Sequence, residues 1–142
     1  MMKKSSLITF WMLIGIFFVV LAEFFIPAIR DLFSGSLLFL GPFAVFFLLG
    51  LVLLFLVIRG SVKGILKKFL ILTGASAAGF FVCVILHNAF YALATVTNDI
   101  IVLDYLIEAL SVIFFLIAIF ACPIGFLIGA VGSIVMLIKK NR

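Results

Sequence analysis

Residues 69–93 read FLILTGASAAGFFVCVILHNAFYAL, and this uncharged stretch decides the fold. A helix of that length, rising 1.5 Å per residue, covers more than the ~30 Å hydrocarbon core of a bilayer. Lipid offers no hydrogen-bond partner to backbone N–H and C=O groups, so such an apolar run is stable there as a helix. The stretch therefore predicts a membrane-spanning helix.

The rest of the chain has the same character. Hydrophobic residues make up 68% of the 142, and charged residues 11%, whereas soluble domains carry about 25% charge. Apolar runs at 7–29, 37–58, 69–93 and about 109–138 predict four spans, and they lack the alternation of barrel strands. We predict an all-α integral membrane protein, a single domain over residues 1–142 with four transmembrane helices in an antiparallel bundle.

Basic residues lie almost entirely on one side of this topology. Nine of the ten Lys and Arg residues precede the first span, fill the second connection or end the chain: Lys3, Lys4, Arg59, Lys63, Lys67, Lys68, Lys139, Lys140 and Arg142. Cytoplasmic loops are enriched in Lys and Arg, so the pattern predicts a cell-membrane protein with both termini cytoplasmic. A signal peptide cleaved after Val20-Leu21-Ala22 is the competing interpretation of the first span.

Six of these basic residues are candidates for binding anionic lipid head groups, at about 1 kcal/mol each. They are Arg59, Lys63, Lys67, Lys68, Lys139 and Lys140. The simpler interpretation is that they determine topology only. Because the charges lie at segment ends and form no continuous basic surface, no nucleic-acid partner is predicted.

The third connection carries a helical pattern of its own. Thr97-Asn98-Asp99 offers capping side chains, and Asp104 and Glu108 share one face of the residues that follow. We predict a short amphipathic helix over about 99–108 that lies on the outer surface and runs into the fourth span. The alternative is a fourth helix that is simply extended.

Small residues predict close helix contacts, because they let membrane helices approach. Two patches stand out: Gly74, Ala75 and Ala78 on the third span, and Ala121, Gly125, Gly129 and Ser133, spaced by four, on the fourth. We predict that these patches pack together in the cytoplasmic half of the bundle. The alternative is a homodimer formed through the second patch, but the short connections favour the contact within one chain.

The other face of the third span is polar. At 100° per residue, a single line along the helix contains Thr73, Ser76, Phe80, Cys83, His87 and Tyr91. A helix that has small residues on one face and polar residues on the other is expected to pack against neighbours on both faces. We therefore predict that this span is central in the bundle.

Glu23 is the acidic residue within an apolar run, and such groups in membranes usually need a partner. Counted from the cytoplasmic ends, Glu23 lies about 24 Å along its helix and His87 about 27 Å along its own. We predict a polar site of Glu23, His87, Asn88, Tyr91 and Cys83. One interpretation is structural, with Glu23 bonded to His87 or Arg30; another is an outward cavity that exchanges a proton or binds a cationic ligand.

No catalytic site, metal site or cofactor is predicted. Gly74-Ala75-Ser76-Ala77 is similar to the nucleophile segment of rhomboid-type proteases, but His87 lies about 16 Å from Ser76 on the same helix, far beyond the ~3 Å that a catalytic base needs. Cys83 and Cys122 match no zinc spacing. Cys83 and His87, at i and i+4, are the only support for metal binding.

Two resemblances add to this picture. The block from Lys67 to Asn88 resembles the centre of a family of small uncharacterised multi-pass prokaryotic membrane proteins, which implies the architecture and no activity. Leu21-Ala22-Glu23 is similar to the glutamate segment of small multidrug resistance transporters, which implies proton and drug binding at Glu23. Those transporters are shorter, and the aromatic and glycine-rich signature of their second helix is missing here.

The function predicted from the sequence is non-enzymatic: a structural or accessory membrane subunit. Its expected partners are the lipid bilayer, anionic head groups, and a second copy or another membrane protein. The alternative is a small proton-linked transporter that uses Glu23 and His87.

Overall fold

The computed structural model describes residues 3–33, 36–96 and 101–140, which form helices with no strand among them. These helices are α1 (Lys4–Phe25), α2 (Pro27–Phe33), a 3-10 turn (Leu37–Leu40), α3 (Gly41–Arg59), α4 (Gly64–Val96), α5 (Ile101–Leu116), a π turn (Ile117–Ala121) and α6 (Cys122–Lys140). Four segments are long and apolar enough to cross a membrane: Lys4–Phe25, Leu38–Arg59, Gly64–Val96 and Val102–Lys139. Within the described residues, the predicted all-α fold is confirmed to this extent: four helical segments are long and apolar enough to cross a membrane.

Proline sets the limits of two helices. Ile26 is extended because the residue before a proline avoids the helical region, so α1 ends there and Pro27 begins α2. The run predicted as a first span over 7–29 is therefore interrupted at Ile26. Pro42 stands in the first turn of α3, where its missing N–H costs no hydrogen bond.

Helix α4 is central, as predicted, because it packs against α3, α5 and α6. Helix α1 packs mainly along α3. It meets α6 through Phe17, whose ring stacks on that of Phe126 at 4.4 Å. Phe46 of α3 lies beside both rings, so aromatic side chains fill the middle of the core.

The last span is one long helix with a wide turn in it. Pro123 has no N–H to offer the Ile119 carbonyl, and the Cys122 N–H bonds instead to Ile117, five residues back. The separate short helix predicted over about 99–108 is not what the structure has: α5 begins at Ile101 and continues through the π turn into α6. Residues 99 and 100 lie outside the described ranges. The apolar pattern continues without a break, which favours the extended alternative.

Candidate polar site and neighbouring cavities

Glycines of α6 lie directly on the polar face of α4. A methyl group at Gly129 would lie 2.6 Å from Thr73 Oγ1 and 2.9 Å from the Phe69 carbonyl, and one at Gly125 would lie 2.5 Å from Ser76 Oγ. The predicted close approach of the third and fourth spans is therefore confirmed. Thr73 donates its own hydroxyl hydrogen to the Phe69 carbonyl at 2.9 Å, so it can pack like a small apolar residue.

The face that α4 uses for this contact is not the predicted one. Gly74 packs instead against α3, where a methyl group at Gly50 would lie 2.9 Å from the Gly74 carbonyl and 3.0 Å from the Ala78 nitrogen. Ala75 and Ala121, which were predicted to belong to the two packing patches, are exposed, so that part of the prediction is wrong. Ser133 is buried, and no hydrogen-bond partner among the described residues reaches its hydroxyl. Gly74 and Ala78 of α4 therefore form the close contact with α3, and not the predicted contact with α6.

His87 is held by Ser111 of α5. Its Nδ1 lies 3.0 Å from the Ser111 carbonyl and 2.9 Å from Ser111 Oγ, and that hydroxyl lies 3.3 Å from the His87 carbonyl. The tautomer that satisfies all three contacts has Nδ1 donating to Ser111 and the Ser111 hydroxyl donating to the His87 carbonyl. The His87 ring also packs 5.1 Å from that of Phe115. Sequence reasoning missed Ser111, although its hydroxyl is the polar group in the otherwise apolar part of α5 that follows Glu108.

The predicted Glu23–His87 pair is wrong. Glu23 is 2% exposed on the buried face of α1, and no donor in the described part of the chain reaches its Oε2. Arg30, the other predicted partner, pairs weakly with Asp31 at 3.6 Å on the surface. The prediction paired Glu23 with His87 because the two residues lie at a similar depth in the membrane. In the structure α1, which carries Glu23, packs on α3, whereas His87 faces α5.

The remaining predicted site residues are dispersed. Asn88 is exposed, and its amide donates to the Val84 carbonyl of its own helix at 2.8 Å. Tyr91 is 64% exposed, with its ring 6.3 Å from that of His87. Cys83 is half-buried, Cys122 is buried, and both thiols are free. No group of three metal-ligating side chains occurs among the described residues.

His87 and Tyr91 do line a shared cavity, which we call the polar groove. It has a volume of about 430 Å³ between α4 and α5 and is lined by His87, Tyr91, Ala94, Thr95, Asp104, Glu108, Ser111 and Val112. The predicted common face of Asp104 and Glu108 is turned toward it. The groove thus gathers two carboxylates, an imidazole and a phenol.

A second cavity, the aromatic cleft, was not foreseen from the sequence. Its volume is about 320 Å³, and its lining comes from α1, α3, α4 and the last helix: Phe17, Val20, Leu21, Phe24, Phe25, Phe46, Ser76, Phe80, Ile119, Cys122, Pro123 and Phe126. The sequence feature that could have indicated this cleft is Pro123, because the helix widens into a π turn just before this proline. Glu23 is next in sequence to the lining residue Phe24 but does not line the cleft itself.

The candidate lipid-binding residues are at the surface. Arg59, Lys63, Lys68 and Lys139 are exposed, and Lys67 is half-buried; the Lys140 side chain lies outside the described part. The Arg59 guanidinium stacks 4.4 Å above the Phe55 ring. That stacking leaves the planar cation at the end of α3, which suits a membrane boundary.

No protein-family model, curated protein or solved structure matches the chain. Both resemblances described above therefore stay predictions.

Proposed function

We propose that the protein is a non-enzymatic structural or accessory subunit of the cell membrane, with its four spans antiparallel and both termini cytoplasmic. The distribution of basic residues supports the orientation. Pairs such as Ser76 with Gly125 and Thr73 with Gly129, whose numbers run in opposite directions, support the antiparallel packing of α4 and α6.

The orientation predicts a labelling pattern. In a chain whose Cys83 and Cys122 are replaced by serine, Asp104→Cys should react with a membrane-impermeant maleimide on intact cells. Lys63→Cys should react only after the cells are permeabilised. The cysteine-free chain is the control for background labelling, and the opposite pattern would reverse the proposed topology.

The observation that carries the structural role is the His87–Ser111 contact. Each of these polar groups, at membrane depth, is used to join two helices of the same chain. Interhelical hydrogen bonds of this kind contribute about 0.6 kcal/mol on average and up to about 1.7 kcal/mol in measured membrane proteins. The use of Nδ1 for a contact between α4 and α5 supports a role in holding the bundle together.

A double-mutant cycle tests that role. His87→Phe and Ser111→Ala should each lower the stability of the detergent-solubilised protein, and the double variant should lose less than the sum, with a coupling of about 0.6–1.7 kcal/mol. Stability can be followed by unfolding in increasing denaturing detergent. Asn88→Ala is the matched control because its amide bonds within α4. Strict additivity would show that the contact contributes no coupling.

A proton-linked transporter is the second candidate, and Glu23 favours it. Acidic side chains within membrane spans mark ion or substrate pathways by default. Glu23 is buried, and its Oε2 has no hydrogen-bond partner in the part of the chain that the structure describes. The polar groove supplies a second set of titratable groups at another place in the bundle. Under this proposal Glu23 exchanges protons during transport.

A further inference from the structure

We propose that the polar groove between α4 and α5 binds a small organic cation through its ammonium group. Its lining brings the carboxylates of Asp104 and Glu108 together with the rings of His87 and Tyr91, and it includes no lysine or arginine. Carboxylates and the faces of aromatic rings are the groups that bind ammonium ions in proteins. Binding at this groove requires neither proton exchange at Glu23 nor transport.

The two carboxylates of the groove have no cationic partner in the described part of the chain. The ion pair found there joins Arg30 to Asp31 on α2, at 3.6 Å. Asp104 and Glu108 stand at i and i+4 on α5, where side chains are neighbours and like charges repel each other. A cation held between them would relieve that repulsion.

The histidine adds a hydrogen-bond acceptor to the groove. Because Nδ1 donates to Ser111, the neutral His87 ring keeps its lone pair on the other nitrogen, Nε2. The imidazole and the two carboxylates therefore all accept hydrogen bonds. A primary ammonium group, which has three N–H donors and no acceptor, matches this lining.

The lining favours an organic cation over a metal ion. No group of three side chains that could hold a metal occurs among the residues described. The Tyr91 ring is 64% exposed and lies 6.3 Å from the His87 ring, so a cation can reach its face. Ala94 and Val112 add apolar wall beside the charges, which suits a ligand with a hydrocarbon body.

Charge distinguishes a free amine from a phospholipid head group. Phosphatidylethanolamine carries the same ammonium group, but a phosphate lies two carbon atoms away from it. The groove has no basic side chain to pair with that phosphate, and Asp104 and Glu108 would repel it. A free amine does not meet this repulsion.

Fluorine NMR of para-fluorophenethylamine tests the site, because this amine joins an ammonium group to an apolar ring. The full chain is held in dodecyl maltoside, an uncharged detergent with no competing ammonium group. The resonance should broaden saturably as protein is added, whereas that of the neutral analogue para-fluorophenylethanol should show only partition into micelles. Added phosphatidylethanolamine should leave the titration unchanged. Equal behaviour of amine and alcohol, or displacement of the amine by phosphatidylethanolamine, would overturn the proposal.

Substitutions in the groove complete the test. Asp104→Asn and Glu108→Gln should each weaken binding of the amine by up to about fivefold, as expected when one exposed ion pair is lost. Tyr91→Leu should weaken it about twofold to fivefold, and Tyr91→Phe, which keeps the ring, should not. Asp31→Asn is the matched control, because it removes an exposed carboxylate from α2. The proposal fails if this control weakens binding as much as Asp104→Asn, or if no substitution in the groove weakens it.

Discussion

Gly129→Ala is expected to destabilise the bundle by about 1–3 kcal/mol, the usual cost of overpacking a close contact. The added methyl group would lie 2.6 Å from Thr73 Oγ1, 2.7 Å from the Thr73 nitrogen and 2.9 Å from the Phe69 carbonyl. Two of these three atoms belong to the backbone of α4, so a change of side-chain rotamer does not relieve the clash. Helices α4 and α6 have to move apart, which loosens the central packing contact.

Gly15→Ala is the matched control, since the methyl group that it adds on α1 meets no atom of another described helix within 4 Å. That substitution should leave stability unchanged or raise it slightly, because alanine is the better helix former. Both variants can be compared by the fraction that stays monodisperse on gel filtration after heating. Equal stability of the two variants would mean that α4 and α6 are not in close contact at Gly129.

The sequence predicted those parts of the fold that depend only on the length of an apolar run or on the spacing of residues along one helix. Run lengths located the four spans, and the spacing of Gly125 and Gly129 identified the α6 surface that approaches α4. The central place of α4 followed from its two specialised faces. These inferences succeed because each needs only the period of one helix and the thickness of the bilayer.

The failures concern which helices are neighbours. Thr73 and Ser76 were predicted to form a polar face, yet the glycines of α6 pack directly against them. Thr73 permits this contact because its hydroxyl group is hydrogen-bonded within α4. Glu23 and His87 have similar depth, but depth leaves open the direction in which each side chain points. The aromatic cleft depends on a π turn and on rings from four segments, which no local pattern specifies.

Glu23→Leu is expected to stabilise the protein by about 1–3 kcal/mol, provided that the carboxyl group has no partner in the membrane. A buried polar atom without a hydrogen bond costs roughly that amount, and Oε2 is in this position. Glu23→Gln keeps a polar group at the same place and should gain little. Unfolding in denaturing detergent measures both variants, with the exposed Glu108→Gln as the matched carboxylate control.

The sign of the Glu23→Leu effect separates the candidate roles of this residue. Destabilisation would show that the carboxyl group has a stabilising partner, which would restore a structural function for Glu23. Stabilisation combined with loss of pH-dependent ligand uptake in both Glu23 variants would support the transporter, because functional groups are commonly retained at a cost in stability. Stabilisation with unchanged uptake would exclude the transporter and leave the structural or accessory role. In that role the His87–Ser111 contact joins the helices, and Glu23 lowers the stability of the bundle.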